Sequence, residues 1–410
     1  MDIGALGVYI CLFVALYFEV FLLISFLEKR PGIKTSKLPA HYPSVSMLVP
    51  CWNEEATIAK TLDSLRALDY PSEKLEIVVV DDGSTDGTRA IAEEYAATYP
   101  QVKYFYKENG GKYTALNFGI EHSTGELIGC LDADSFVAED GLMEMVKKFE
   151  SDQDIAAITP AMKVFKPRTM LELMQSVEYT FGIFYKKMFD NLSAINVLPG
   201  PFSMYRREVF KKIGIFRHAH NTEDMEIAFR MHSHGLKIVN AHTAYVYTTV
   251  PKTVRALIKQ RTRWSQGFLQ NAQDYKYMFF NPRFGNFGML TLPFGLIAFF
   301  AGLYSAGYIV FKMAHALITK ALSLWVTGIP PQAPTLPTSW FYVDTSMMTF
   351  LIAATLSMTI MAILLGGRIA KTRISLKSYL SYFILFGFIA PLWLVQALWG
   401  AVRAKESSWR

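Results

Sequence analysis

Cysteine is nearly absent from this chain. Cys11, Cys51 and Cys130 are its three cysteines in 410 residues, and none stands at a spacing used by a zinc site or a disulfide framework. A disulfide-stapled secreted fold is thereby excluded, and a reducing compartment suits the chain. Charge is scarce as well: 19% of residues are charged against 51% hydrophobic, and the mean hydropathy of +0.21 is high for a wholly water-soluble protein. The net charge of +6 comes without a clustered stripe of lysine and arginine, because the basic residues flank apolar runs. The partner implied is a membrane, and nucleic acid is not. A cleavable signal peptide fits poorly, since the start is not basic and no small-residue cleavage site follows.

Long stretches free of charge are what the chain has instead. Residues 3–27 are apolar except for Glu19, long enough to cross a bilayer, and are followed by a basic segment at 28–37. An acidic start and a basic flank place Met1 outside and the next domain in the cytoplasm. Glu19 either lines a polar conduit or snorkels or pairs near a helix end. No charge lies between Arg283 and Lys312, between Asp344 and Arg368, or between Lys377 and Arg403, which gives three further membrane segments. The short loop at 366–377 is basic, as a cytoplasmic loop should be, while the proline-rich loop at 328–337 is uncharged and expected outside. That count leaves Arg403, Lys405 and Arg410 outside, so the last segment, which contains Pro391, is read as either spanning or re-entrant.

From about residue 44 the pattern changes to short β-branched runs alternating with amphipathic segments, the form of βαβ units. Strands are expected at 44–50, 77–80 and 102–106, and helices at 58–68 and 88–98. The organising stretch is the apolar run from Glu126 into Asp132-Ala133-Asp134, a central parallel strand that delivers two carboxylates to its C-terminal edge, where open α/β sheets bind ligands. Acids two residues apart in an extended segment point to the same side and can share a hard divalent cation, Mg2+ or Mn2+, with phosphate oxygens. Asp81-Asp82-Gly83 ends the second strand, where carboxylates can accept from base or ribose, although a capped turn would read alike. Gly110 and Gly111 permit close backbone approach, and Lys112 at a helix start is placed to meet a diphosphate. Two further strands are expected at 155–160 and 161–165.

Met170, Met174, Val177, Phe181, Phe184 and Met188 form one apolar stripe, which suits a helix on the membrane surface or an ordinary core-facing helix. Leu198-Pro199-Gly200-Pro201-Phe202 marks a turn whose glycine admits a ligand closely or serves structure alone. Asn221 or Thr222 is expected to cap a helix running to Met231, with Glu223 and Asp224 in its first turn. The histidines at 218, 220, 232 and 234 have no zinc-finger spacing and no cysteine partner. In a helix over 254–270, Gln260, Arg263 and Trp264 share one face; an arginine suits a diphosphate and an indole suits a sugar ring.

Residues 44 to about 270 resemble the membrane-embedded family 2 glycosyltransferases with a GT-A fold, the group of cellulose, chitin, hyaluronan and poly-N-acetylglucosamine synthases. The resemblance rests on four motifs in the family order: Asp81-Asp82-Gly83, Asp132-Ala133-Asp134, Thr222-Glu223-Asp224 and Gln260-x-x-Arg263-Trp264. It implies that Pro50, Asn53, Glu54, Asp82, Lys112 and Asp132 hold the nucleotide sugar and Asp134 the metal. By the same resemblance Asp224, with Glu223 beside it, is the base; Gln260 and Arg263 line the diphosphate, and Trp264, Gly200 and Glu223 the acceptor. One helix before and three after the catalytic part is most similar to the chitin-oligosaccharide and poly-N-acetylglucosamine synthases. No cellulose-synthase regulatory domain or gating-loop motif is found.

The domains expected are a membrane helix at 1–30, a cytosolic α/β GT-A domain at 31–250, interfacial helices at 251–286 and a membrane region at 287–410. The expected activity is inverting, metal-dependent polymerisation of a sugar, N-acetylglucosamine, from a UDP-sugar donor, with passage of the polymer across the cytoplasmic membrane. Accessory export proteins are admitted as partners. The alternatives are addition of one sugar to a polyprenyl phosphate or other lipid acceptor, and a non-catalytic transport or assembly subunit.

Overall fold

The computed structural model describes residues 3–28, 39, 41–328 and 346–403. In chain order the first elements are α1 (Ile3–Leu27), β1 (Val45–Cys51), α2 (Ile58–Arg66), β2 (Leu75–Asp81), α3 (Thr88–Thr98), β3 (Val102–Tyr106) and α4 (Lys112–Glu121). Next come β4 (Leu127–Cys130), β5 (Ser135–Val137), α5 (Gly141–Ser151), β6 (Ile155–Val164), α6 (Met170–Asn191), β7 (Ser203–Arg206) and α7 (Arg207–Ile213). The last are α8 (Glu223–Ser233), β8 (Lys237–Thr248), α9 (Val254–Asp274), α10 (Leu292–Thr327), α11 (Met347–Ile369) and α12 (Leu376–Val402). Contacts divide the chain into two units, Met1–Leu27 with Phe294–Ala362, and Glu28–Pro293 with Ile363–Arg410.

The larger unit is built on an eight-stranded sheet in the order β3-β2-β1-β4-β7-β6-β8-β5. The first four strands run parallel; β7 is antiparallel to β4 and β6, β6 and β8 are parallel, and β5 is antiparallel at the edge. The apolar runs are continuous because both faces of the sheet are covered. Val45, Met47, Val49, Ile77 and Val79 meet Leu62, Leu65 and Phe149 of α2 and α5 on one face. The alternate residues Leu48, Val78, Val80 and Ile128 meet Leu116, Ile120, Phe210 and Ile227 of α4, α7 and α8 on the other. Burying each such side chain contributes about 1.5–3 kcal/mol. The parallel edges of β1, β2 and β4 therefore end together, and the chain leaves β4 directly into Asp132.

Three sequence expectations change in detail. The strands expected at 155–160 and 161–165 are one strand, β6, with a register shift at Pro160/Ala161. The pairing jumps from Pro160↔Ala241 to Ala161↔Tyr245, so the extra residues His242, Thr243 and Ala244 bulge from β8 while β6 runs on. The 126–131 strand is parallel on its β1 side but antiparallel to β7 on the other. The stripe on α6 is buried within the protein: Met174 and Val177 pack with Leu257 of α9 and Tyr382, Ile389 and Trp393 of α12. A capping box starts this helix, Glu172 N–H donating to Thr169 Oγ1 at 3.2 Å and Thr169 N–H to Glu172 Oε2 at 2.8 Å.

Among the described residues four helices are long and apolar enough to cross a membrane: Ile3–Leu27, Phe287–Thr327, Met347–Ile369 and Leu376–Val402. The last is continuous through Pro391. The proline-rich loop beyond Gly328, the basic flank beyond Glu28, and Lys405 and Arg410 lie outside the described residues. Within the smaller unit Phe18 stacks on Phe294 at 4.3 Å, and Thr359 Oγ1 donates to Glu19 Oε1 at 2.6 Å. Glu19 is thus a paired acid.

Gly125 carries the approach of the α4–β4 turn to β1. A Cβ there would lie 2.5 Å from Ser46 N and 2.8 Å from Val45 C, both backbone atoms that cannot yield. Gly125→Ala is expected to destabilise the larger unit by about 1–3 kcal/mol. Thermal unfolding of the full chain in detergent checks this, with Gly387→Ala, which meets nothing within 4 Å, leaving the midpoint in place.

Candidate active site

Where the parallel strands end, a cavity of about 700 Å³ opens. Leu131 N–H still pairs with Leu48 O at 2.9 Å, after which the backbone leaves the sheet and presents Asp132 and Asp134 to the cavity. Gly111, at φ +91°, turns the chain into α4, and Lys112 as its first residue reaches the same space. Lys112 Nζ lies 2.6 Å from Asp132 Oδ1 and 3.4 Å from Glu223 Oε1. Gly200 sits against this pair, and a Cβ on it would come within 2.3 Å of Lys112 Nζ and 2.5 Å of Asp132 Oδ1. The absence of a side chain at 200 is what lets the pair form.

Glu223 and Asp224 open α8 behind an unusual entry: Ala219, His220 and Asn221 all have positive φ, 45°, 56° and 59°. Non-glycine residues adopt this region rarely and only when the surroundings hold them. The holding is done by α9. Arg263 Nη1 donates to Asn221 O at 2.8 Å, Asn271 Nδ2 donates to Thr222 Oγ1 at 2.9 Å, and His220 Nε2 meets Asp274 Oδ2 at 2.9 Å. Thr222 occupies the N-cap position, as expected, but its hydroxyl donates to Ala219 O and makes no side-chain cap.

The cavity wall holds six acids, Glu54, Asp132, Asp134, Glu178, Glu223 and Asp224, against four bases, Lys112, Lys186, Lys259 and Arg263. That excess shows in the titration of the buried groups. Burial and the charge of Asp132 push the Asp134 carboxyl up to about 6. Burial and Glu223 push Asp224 up to about 6 against the pull of Lys112 and Arg263. Burial pushes Lys186 down to about 8, with Asp224 opposing. For Lys112, burial acts downward but Asp132 and Glu223 outweigh it and hold the ammonium charged.

A divalent cation fits this donor set. Asp134 accepts from Ser135 Oγ at 3.1 Å and from Thr249 Oγ1 at 3.5 Å, weak partners for a half-buried carboxylate. Among the described residues no three His, Cys, Asp or Glu side chains cluster as a complete metal site, so phosphate oxygens and water would complete the shell. Gln260 lines the cavity, and its buried Oε1 has no hydrogen-bond partner among the described residues.

Of the residues singled out from the sequence, Pro50, Glu54, Lys112, Asp132, Asp134, Gly200, Glu223, Asp224, Gln260, Arg263 and Trp264 line the cavity together. Asn53 and Asp82 do not. Asp82 is fully buried and accepts from Gly110 N at 3.0 Å, Gly111 N at 2.9 Å and Lys107 Nζ at 2.5 Å, fixing the paired glycines ahead of Lys112. Asn53, at φ +57°, accepts from Thr85 N at 2.8 Å and holds the β2–α3 loop. Sequence reasoning missed Trp52 and three residues of α6, Glu178, Tyr179 and Lys186. It also missed Arg261, which pairs with Glu178 at 2.9 Å and lies 4.1 Å over the Trp264 ring. A charged pair crossing from α6 to α9 leaves no local pattern, although lysine and glutamate beside an apolar stripe were its trace.

Residues 46–214 match the model of glycosyl transferase family 2. The chain carries a family 2 glycosyltransferase domain. Poly-beta-1,6-N-acetyl-D-glucosamine synthase of Staphylococcus aureus is 31% identical over 242 residues, 59% of this chain and 57% of the relative. The enzyme of the same name from Staphylococcus epidermidis is 30% identical over 246 residues, 59% of each. The chain thus spans less than two thirds of the length of the curated relatives it matches. Among solved structures, the mannosyltransferase PcManGT of Pyrobaculum calidifontis, in complex with GDP-Man and Mn2+, is similar over 98% of this chain and 99% of that one. Its TM-score is 0.65 at 22% identity, a likeness of fold. The GT-A-like architecture expected from the motifs is therefore the one present.

The contact at Gly200 gives this glycosyltransferase domain a sharp test. Gly200→Ala is expected to displace Lys112 from Asp132 and to lower sugar transfer at least tenfold, roughly the effect of one lost charge-assisted bond. Steady-state rates beside an unfolding midpoint check it, and unchanged rates would show the pair to be idle.

Proposed function

We propose that this protein is an inverting, metal-dependent membrane glycosyltransferase that polymerises N-acetylglucosamine from a UDP-linked donor, with its catalytic domain on the cytoplasmic side of the cell membrane. The observation that carries the reading is the gathering of Asp132, Asp134, Lys112, Asp224, Arg263 and Trp264 around one cavity at the ends of the parallel strands. The names of the relatives support the sugar, and the four apolar helices support the membrane.

The acceptor hydroxyl oxygen attacks the anomeric carbon while the bond from that carbon to the diphosphate breaks. UDP leaves with the electron pair, and the hydroxyl proton passes to Asp224. Its carboxyl, pushed up to about 6, is ionised at neutral pH yet basic enough to accept a proton. Pro50 and Glu54 line the nucleotide end, where Asp82 and Asn53 act by holding the loops around it. Lys112 and Arg263 bring positive charge to the departing diphosphate. Mg2+ or Mn2+ held by Asp134, with Asp132 beside it, would supply further charge neutralisation there. Trp264 offers a flat face to the acceptor sugar, its orientation fixed by Arg261 and Glu178.

Asp224→Asn is expected to lower transfer by about a hundredfold to ten-thousandfold while UDP binding stays nearly intact. In the wild type the rate should fall as pH drops through about 6, because protonation removes the base, and should level off above; a profile flat across that range would demote Asp224. Chelation of divalent cations should abolish transfer, as should Asp134→Ala. The deciding experiment offers purified protein a panel of labelled UDP-sugars and sizes early products with donor in excess. Long polymer from UDP-N-acetylglucosamine beside unextended acceptor is expected; a single-residue adduct on a lipid would replace polymerisation with one-step transfer.

A further inference from the structure

The turn between α11 and α12 contains a second cavity, of about 580 Å³, lined by Leu364, Gly367, Arg368, Lys371, Thr372, Arg373, Ile374 and Tyr379. Its lining is basic with no acid, and residues 366–377 carry Arg368, Lys371, Arg373 and Lys377 without one Asp or Glu. Among the described residues none of these four makes an ion pair, and Arg368, Lys371 and Arg373 are exposed. The Tyr379 Oη is buried and has no hydrogen-bond partner among the described residues. Ser375 caps α12 immediately beside the cavity, so the positive end of a 27-residue helix adds to the same field.

The turn is not a loose surface loop. Gly366 packs on α6 so closely that a Cβ would lie 2.3 Å from Thr180 O. Tyr245 Oη donates to Ile369 O at 3.3 Å, and Ala370 is buried with Ala161 and Ile183. Lys371 is fixed at φ +51°. Burial and then the charge of Lys371 hold Lys163 below the usual lysine range, so the field extends to β6. A basic turn that served only to orient helices in a bilayer would need neither an open cleft fixed against α6 nor an unpaired hydroxyl on a residue lining it.

We infer that this cavity is a phosphate-binding site, with Arg368, Lys371 and Arg373 meeting the anionic oxygens and Tyr379 Oη donating to one of them. Leu364 and Ile374 on the cavity wall suit the apolar stem that accompanies a lipid headgroup. An occupied site would pin the turn against α6, whose Tyr179, Gly182 and Ile183 line the sugar cavity.

The full-length protein in neutral detergent is mixed with labelled phosphatidylglycerol or phosphatidylcholine, captured, washed, and its retained lipid counted, with and without millimolar inorganic phosphate. Wild type is expected to retain phosphatidylglycerol in preference to phosphatidylcholine. The double variant Arg368→Gln/Arg373→Gln should lose that preference by about tenfold or more, since each surface cation contributes on the order of fivefold. Tyr379→Phe, a change of one oxygen atom, should lose roughly two- to tenfold. Displacement by inorganic phosphate would assign the site to a free phosphate compound, and resistance to it would assign the site to a lipid headgroup. Equal retention of the two lipids by wild type, or equal phosphatidylglycerol retention by wild type and both variants, overturns the inference. UDP binding, measured alongside, shows that each variant is folded.

Discussion

A lysine out of water has to be answered by negative charge, and around Lys112 that requirement binds three distant parts of the chain. Its ammonium heads α4; Asp132 follows β4, and Glu223 begins α8. Removing one partner of this partly buried pair leaves an ion without its partner, at a cost of about 1–3 kcal/mol. The relation of the two acidic motifs is therefore enforced electrostatically. Gly200 completes it sterically by leaving the space the pair occupies. Because the wall still carries more acids than bases, the same lysine that steadies the site leaves it receptive to a cation and to a ligand that brings one.

A second tier of residues acts without reaching the cavity. Asp82 gathers two backbone N–H groups and Lys107 so that Gly110 and Gly111 hold their turn. Three hydrogen-bonded contacts from α9 keep Ala219, His220 and Asn221 in a conformation they would not choose alone. Arg263 belongs to both tiers, since it lines the cavity and also secures Asn221 O. Helix α9 consequently sets the position of Glu223 and Asp224 as well as presenting its own Gln260 and Trp264.

Much of this was legible in the sequence because it is local. Short β-branched runs marked the strands, and long apolar runs nearly free of charge marked the membrane-length helices. Acids or glycines at strand ends marked the site; eleven of the thirteen residues singled out line one cavity. Asn53 and Asp82 sit in the right motifs, but whether a carboxylate faces ligand or backbone depends on the neighbouring turn, which no spacing reports. Pro160 reads as a break, yet the ladder slips past it and β6 continues. The contribution of α6 was hidden for a different reason. Its apolar stripe accounts for burial, while Glu178, Tyr179 and Lys186 stand on the remaining face and acquire meaning only when α9 and the sheet are brought beside them.

The cavity draws its wall from residues as far apart in the chain as Pro50 and Trp264. The sheet itself pairs over long separations, Val45 with Leu127 and Ser135 with Thr248, so it closes only when β8 has been made. The left-handed entry to α8 has no support until Arg263, Asn271 and Asp274 have also been made. Glu223 and Asp224 are therefore held in place only once α9 has folded against them. Since α6 and α9 in turn pack on Tyr382, Ile389 and Trp393, the support of the cavity is complete only when α12 is in place as well.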